Sequence, residues 1–281
     1  MKIKELIIYG KNLLTANNIE DASLISKLLA EFILNMNKTQ LITNDEKEIS
    51  EEEKTRYYLA LIEIVQDIPV QYITNNQEFM KLNFYVDKNV LIPQPDTEIL
   101  VEEVIEIINK NNEEVKVLDI CTGSGCIGTS IAKYTKKVAI TMSDISSKAL
   151  NIAKNNYTKN IEDTSKVEFI QSDMFEEIKA KYDIIVSNPP YIESKEISKL
   201  DKQVQNEPHL ALDGGEDGLE FYRKLAVEAH KFLNENGYLC MEIGYNQKEA
   251  VIQLLKENKN YKEIYSKKDL SQNDRIIIAK I

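Results

Sequence analysis

The sequence predicts an α/β protein: a mainly parallel sheet covered on both faces by helices, preceded by a small helical domain and a β-hairpin connector. Three observations carry this. From residue 115 onward, strands alternate with helix-length segments. Those strands are unbroken Val/Ile/Leu runs, the pattern of strands buried on two faces. Residues 3–67 instead repeat their apolar positions with the period of a helix. At 281 residues the chain is long enough for one large domain and a smaller one.

Ile3, Leu6, Ile7, Leu13 and Leu14 form one face of a first helix. Leu24, Ile25, Leu28, Leu29, Phe32 and Ile33 form a broader stripe on a second, with Asp21 at its N-cap. A third opens on Ser50-Glu51-Glu52-Glu53, a capping box, carries Tyr58, Leu61, Ile62 and Val65, and is stopped by Pro69. Residues 76–92 read as two strands on either side of Lys81–Asn83. Pro93 and Pro95 stiffen the chain before Asp96, the expected cap of a helix bearing Ile99, Leu100, Val104, Ile107 and Ile108. Strands follow at 115–120, 137–144, 166–173, 182–188 and 237–243, with helices at 126–135, 146–157, 217–235 and 246–258. Two last strands, near 262–269 and 274–281, lie too close in sequence for a parallel crossover and are expected to be antiparallel. A seven-stranded mixed sheet with that ending looks like the class I (Rossmann-like) methyltransferase fold; a dinucleotide-binding sheet lacks it. The expected divisions are 1–74, a small helical domain; 75–95, the connector; and 96–281, the domain that looks like a methyltransferase; the resemblance given below implies substrate docking for the first.

A net charge of −11 gives no general attraction to nucleic-acid backbones, and residues 1–67 are themselves net acidic. The three cysteines, Cys121, Cys126 and Cys240, are odd in number and sit in apolar segments, which argues against a disulfide framework or zinc site. The first residues carry charges inside their apolar run and do not read as a signal peptide. No apolar stretch reaches membrane-spanning length. These features suit a reduced, cytoplasmic protein, expected to be a monomer, with no membrane, nucleic-acid or metal partner.

Gly123, Gly125 and Gly128 follow the first sheet strand and open a helix, satisfying G-x-G-x-x-G. The glycines alone fit a nicotinamide or flavin nucleotide, or a turn that merely needs glycine. Asp119, two residues before the loop, separates these readings. It is expected to face the ligand, where it would oppose a pyrophosphate and favour the ammonium and sulfonium of S-adenosyl-L-methionine. Asp144, ending the next strand, suits both ribose hydroxyls; its alternative is an N-cap, which Ser146 or Ser147 could supply instead. Asp173 could accept from the adenine amine, with Met174 packed on the ring.

A further strand leads into Asn188-Pro189-Pro190-Tyr191. A planar nitrogen bonded to a carbonyl or aromatic ring is a poor nucleophile, because its lone pair is delocalised. Two acceptors, the Asn188 side-chain carbonyl and the Pro189 backbone carbonyl, could orient its NH2 group and stabilise charge growing on nitrogen. Tyr191 offers a flat face. No strong base is needed, since the methylated nitrogen loses its proton readily.

The tetrad does not choose among adenine, guanine and glutamine acceptors. Pro69-Val70-Gln71-Tyr72-Ile73, Gln77-Glu78-Phe79, Leu91–Glu98 and Glu207–Leu219 closely resemble the PrmC/HemK family of peptide chain release factor glutamine methyltransferases. Its members methylate the glutamine N5 of the Gly-Gly-Gln motif in bacterial release factors. The resemblance implies cofactor contacts at Cys121, Thr122, Gly123, Ser124, Gly125, Asp144, Met174 and Asn188. It implies glutamine contacts at Asn188, Pro189, Pro190 and Tyr191, and a helical domain that helps grip the release factor. Cys121 departs from a usual glycine, acceptable if its φ is negative; Gln94 departs from an arginine; Asn75 departs from a glycine but tolerates left-handed φ. Rival readings are an amino-methyltransferase of ribosomal RNA or DNA, which should carry a basic face, and a methyltransferase-like module that binds without catalysis.

Overall fold

The computed structural model describes residues 1–281 and divides them into two compact units. One comprises residues 1–76 with 201–206, the other 77–200 with 207–281. The connector hairpin therefore groups with the larger unit, and the excursion 201–206, absent from the expected divisions, groups with the smaller.

In the smaller unit, α1 (Ile3–Ala16), α2 (Ala22–Leu34), α3 (Lys38–Thr43), α4 (Glu51–Val65) and α5 (Val70–Thr74) enclose a core of Ile3, Leu6, Leu14, Leu29, Leu61 and Tyr57. Ser50 caps α4 reciprocally with Glu53, as its capping box predicts. Two expectations fail. Asp21 precedes α2 with φ +50° and makes no side-chain cap, and the stripes are narrower than read. Leu24, Phe32 and Ile62 are exposed, while α4 buries Tyr57, Ala60, Leu61 and Ile64. The buried face of α2 includes Ser26 and Ala30, small enough for close helix approach, so apolarity alone overcounted it. Asn75 takes φ +51°, the left-handed conformation that asparagine tolerates.

The larger unit opens with β1 (Gln77–Phe79) and β2 (Leu82–Phe84), joined through Met80 and Lys81, both with positive φ, one residue earlier than the expected turn. Then come α6 (Glu98–Asn109), β3 (Val115–Ile120), α7 (Cys126–Tyr134), β4 (Val138–Asp144), α8 (Ser147–Asn160), β5 (Val167–Gln171) and β6 (Tyr182–Ser187). After α9 (Lys202–Gln205), which belongs to the smaller unit, follow α10 (His209–Leu212), α11 (Glu220–Phe232), β7 (Leu233–Glu242), α12 (Lys248–Glu257), β8 (Glu263–Lys268) and β9 (Asp274–Lys280). Asp96 does not cap α6; it pairs with Arg275 at 3.0 Å, and a 3-10 turn, Pro95–Thr97, leads into the helix.

The sheet runs β5-β4-β3-β6-β7-β9-β8; β9 is antiparallel to β8, as the short link between them required, and antiparallel to β7 as well. Alternate residues of each strand serve opposite cores: Val117 packs with α6 and α7, Leu118 with α11 and α12. The chain reverses its direction of travel between β3 and β6, so Asp119, Asp144 and Asn188 gather at one switch-point crevice along the carboxyl edge. No helix is long and apolar enough to cross a membrane.

Candidate active site

The glycine loop is fixed by two carboxylates working on backbone and hydroxyl donors. Asp119 is wholly buried; its Oδ2 accepts from Thr122 Oγ1 at 2.6 Å and from Gly128 N at 3.1 Å. Asp144 Oδ2 accepts from Gly123 N at 2.9 Å, and its Oδ1 from Ser146 N at 2.9 Å. Ser146 caps α8 through Ala149 N, so capping is not Asp144's task. Gly125 has φ +77° and a Cβ on it would lie 2.9 Å from Ala153 Cβ, so this position requires glycine; a Cβ on Gly128 would meet Met142 Cε at 2.5 Å and force that side chain to move. Asn156, buried in α8, accepts from Tyr85 N and donates to Ser124 O, tying the loop to the strand leaving the connector.

A cavity of about 420 Å³ opens beside this loop. Of the residues expected at the cofactor, Cys121, Gly123, Asp144, Asp173, Met174 and Asn188 line it. Asp119, Thr122, Ser124 and Gly125 do not, which corrects the expectation that Asp119 faces the ligand directly: its side chain is spent beneath the loop. Its Oδ1 is nonetheless buried without a hydrogen-bond partner, a polarity that a donor or cation close by would satisfy. Burial pushes the Asp119 carboxyl up to about 7 against its bonds from Thr122 and Gly128, with the Asp144 charge adding to the rise. Asp144 is likewise raised by burial. Cys121 has φ +60°, not the negative φ that its departure from glycine called for; its Sγ lies 3.9 Å from Met174 Sδ. Burial raises its thiol above the ordinary range, which disfavours the reactive thiolate. The cavity wall also includes Leu91 and Leu210, from two of the segments that carry the resemblance, and Val90, Phe221 and Lys224, which the sequence did not single out.

The Asn-Pro-Pro-Tyr loop is held from afar. Asn188 Nδ2 donates to Thr97 Oγ1 at 3.3 Å, and the Thr97 hydroxyl donates to Glu242 Oε2 at 2.5 Å. Tyr191 Oη stands 3.4 Å from Glu242 Oε1, and its backbone carbonyl accepts from Gln247 Nε2 at 2.9 Å. Ile192 N donates to Leu212 O and Gly214 N to Ile192 O, a short parallel bridge under the loop. A Cβ on Gly214 would lie 2.7 Å from Tyr191 Cα, and one on Gly218 2.5 Å from Tyr191 O. The Asp213–Leu219 segment is thus a clamp shaped for close backbone approach. Pro190 lines the cavity beside Asn188, whereas Pro189 and Tyr191 do not. Glu207 Oε2 accepts from Ile92 N at 2.8 Å, joining the segment of Gln94 to the cavity's rim; Gln94 itself donates only to Ile92 O.

A loop rich in glycine over an acidic strand end, sharing one cavity with Asn-Pro-Pro-Tyr at the switch point of this mixed sheet, defines a class I amino- or amide-methyltransferase. Comparison with known proteins narrows the class. Residues 95–216 match the methyltransferase small domain, and residues 5–74 the PrmC N-terminal domain. A release factor glutamine methyltransferase of Clostridium acetobutylicum is 44% identical over 99% of this chain and 98% of its own. Its counterpart in Clostridium botulinum is 39% identical over 100% and 99%. A methyltransferase structure from Pyrococcus furiosus, 17% identical, has a TM-score of 0.51 over 71% of this chain and 88% of that one, a likeness of fold. The chain belongs to the release factor glutamine methyltransferase family.

Proposed function

We infer that the protein methylates the side-chain amide nitrogen (N5) of the glutamine in the Gly-Gly-Gln motif of peptide chain release factors. The observation that carries this is the shared cavity: Asn188 and Pro190 of the acceptor loop line the same space as Asp144, Asp173 and Met174. S-adenosyl-L-methionine, when bound there, supplies an electrophilic methyl group. Its fit rests on the unpartnered Asp119 Oδ1 beneath the loop and on the carboxylates of Asp144 and Asp173 in an otherwise largely apolar wall. Asp144 retains lone pairs for ribose hydroxyls beyond those given to Gly123 and Ser146. Cys121, Thr122, Gly123, Ser124 and Gly125 form the cofactor loop, Thr122 and Ser124 by shaping it rather than by lining the cavity.

In the proposed mechanism Asn188 gives its NH2 to Thr97, which leaves its carbonyl oxygen as the end available to accept one amide hydrogen. The Pro189 carbonyl takes the other, on a chain whose φ is fixed by the ring. Two acceptors on one NH2 turn its lone pair out of conjugation and toward the reacting carbon, and they stabilise positive charge as it grows. Tyr191, anchored by its hydroxyl and its carbonyl, forms the platform beside the planar amide. The smaller helical unit takes the docking role, and the enzyme works as a cytoplasmic monomer without direct nucleic-acid contact. The net charge of −11 supports a protein acceptor over ribosomal RNA or DNA.

Incubation with purified release factor and cofactor, followed by mass spectrometry, is expected to place one added methyl on the Gly-Gly-Gln glutamine. Asn188→Ala should abolish that product while cofactor binding persists. An unmodified glutamine in a folded release factor, or full activity in Asn188→Ala, refutes the reading.

A further inference from the structure

We propose that Glu242 is a positioning residue that sets the orientation of the Asn188 amide through Thr97, and holds Tyr191 with its other oxygen. The proposal rests on Asn188 and Tyr191 having the roles given above. Glu242 ends β7, is 2% exposed, and belongs to a strand otherwise apolar over Leu239–Met241. A carboxylate in such a place is rare unless its oxygens are occupied by donors. Here Oε2 receives the Thr97 hydroxyl at 2.5 Å, and Oε1 lies 3.4 Å from the Tyr191 hydroxyl, a long contact.

The Thr97 hydroxyl has a single proton, and the short bond spends it on the carboxylate. Toward Asn188, 3.3 Å away, Thr97 Oγ1 can then only accept. The Asn188 atom beside it must be the NH2, so its carbonyl oxygen is turned to the other side, where a substrate amide needs an acceptor. An Asn side chain rotated by half a turn fills the same volume and would present NH2 to NH2. The ionised Glu242 excludes that rotamer without touching substrate.

Protonation removes the constraint. A neutral Glu242 has its own O–H to donate, Thr97 is released to donate to the Asn188 carbonyl, and both amide orientations become populated. Burial holds the Glu242 carboxyl up to about 7. The groups facing it act in both directions: Arg275 on β9 favours ionisation, and Asp96 beside Arg275 opposes it. The Thr97 and Tyr191 hydroxyls donate to the ionised form. Tyr222 on α11 donates to the Glu242 backbone carbonyl, and the Cys126 thiol, itself held up to about 12 by burial, stays neutral. Ionised Glu242 is the productive form, so kcat should fall as pH drops through about 7.

The test measures kcat, KM for intact release factor and cofactor Kd, all at saturating cofactor where relevant. Thr97→Val should lower kcat on the order of tenfold to a hundredfold, with KM and Kd little changed. Thr97→Ser, which restores the hydroxyl, should return most of it. Glu242→Gln keeps an acceptor for Thr97 but cannot titrate, so the acid limb of kcat near pH 7 should disappear. Wild-type kcat in Thr97→Val, or a loss that Thr97→Ser does not repair, overturns the proposal. So does an acid limb that survives unchanged in a folded Glu242→Gln; where that variant does not fold, the Thr97 pair decides. If Thr97→Val is fully active while Asn188→Ala is dead, only the positioning role has failed. If Asn188→Ala is active, the catalytic reading beneath it has failed.

Discussion

The two loops that meet in the cavity are held by opposite means. The glycine loop is braced by its own neighbourhood: Asp119 from the strand before it, Asp144 from the next strand, and Asn156 from the helix after that. The Asn-Pro-Pro-Tyr loop is braced in part by the segment that follows it, through Leu212, Gly214 and Gly218, and in part by residues far away in sequence, Thr97, Glu242 and Gln247. A loop of the first kind tolerates remote change. The second transmits it to the reacting atoms, because a displaced backbone at Tyr191 or a turned amide at Asn188 costs orientation rather than folding.

Paired alanine substitutions test that contrast most severely. Gly123 and Gly218 both have positive φ, +55° and +71°, so a Cβ costs each a similar backbone strain of about 1 kcal/mol. They differ in space. At Gly218 the new carbon lies 2.5 Å from Tyr191 O and 2.7 Å from Gln247 Nε2, whereas at Gly123 nothing of the protein lies within 4 Å. Gly218→Ala should therefore lower kcat on the order of a hundredfold and leave cofactor Kd nearly unchanged. Gly123→Ala places its methyl toward the cavity it lines, so its cost should appear in cofactor Kd and leave saturated kcat intact. Equal kcat losses in both would erase the distinction.

The buried carboxylates sharpen it further, by pH. In the free protein Asp119 is held up to about 7 by burial, so below that pH it is neutral. A cationic ligand favours the ionised form, and binding it below pH 7 must release a proton. Affinity should then rise with pH, by up to about tenfold per unit, and level off above 7. Asp144 is the other carboxylate of the site that burial raises. Calorimetric titration of the cofactor in buffers of differing ionisation enthalpy measures both affinity and proton release. Asp119→Asn should flatten the slope; a slope as steep as wild type assigns it to Asp144 alone.

The same contrast explains what could be read from residues alone. Strands and helices of the larger unit were legible because buried parallel strands are continuously apolar and their crossovers are helix-length. The glycine loop was legible because Gly123, Gly125 and Gly128 fall in one short run between a strand and a helix. The bracing of the acceptor loop was not, since Thr97 and Glu242 meet only after the sheet forms. A signal does exist: an acidic residue near the end of Gly237–Ile243, a run otherwise fit for burial, needs a partner. Glu207 opens the segment Glu207–Leu219, yet its bond to Ile92, like those of Asn156, is not legible there, each being a polar side chain whose partners lie on other elements. In the helical unit, α2 and α4 carry apolar residues on two faces, so period alone could not say which face is buried.

Cys121 is where local reading went astray inside the self-braced loop. A cysteine in place of glycine was acceptable on the premise of negative φ, yet φ is +60°. A left-handed non-glycine residue costs about 1 kcal/mol, and the neighbours impose it: Thr122 N is bound to Ser143 O and Gly123 N to Asp144, so the backbone cannot swing away. The Cys121 side chain offsets part of that by packing on Met174. Cys121→Gly relieves the strain and forfeits the packing, and should shift stability by no more than about 1 kcal/mol in either direction. Cys121→Val keeps the bulk but adds a β-branch at positive φ, and should destabilise by clearly more, about 2 kcal/mol. Thermal melts of the cofactor-free protein compare the two. A valine variant as stable as the wild type would mean that the loop can take another φ at this position, and that the two aspartates constrain it less than their hydrogen bonds imply.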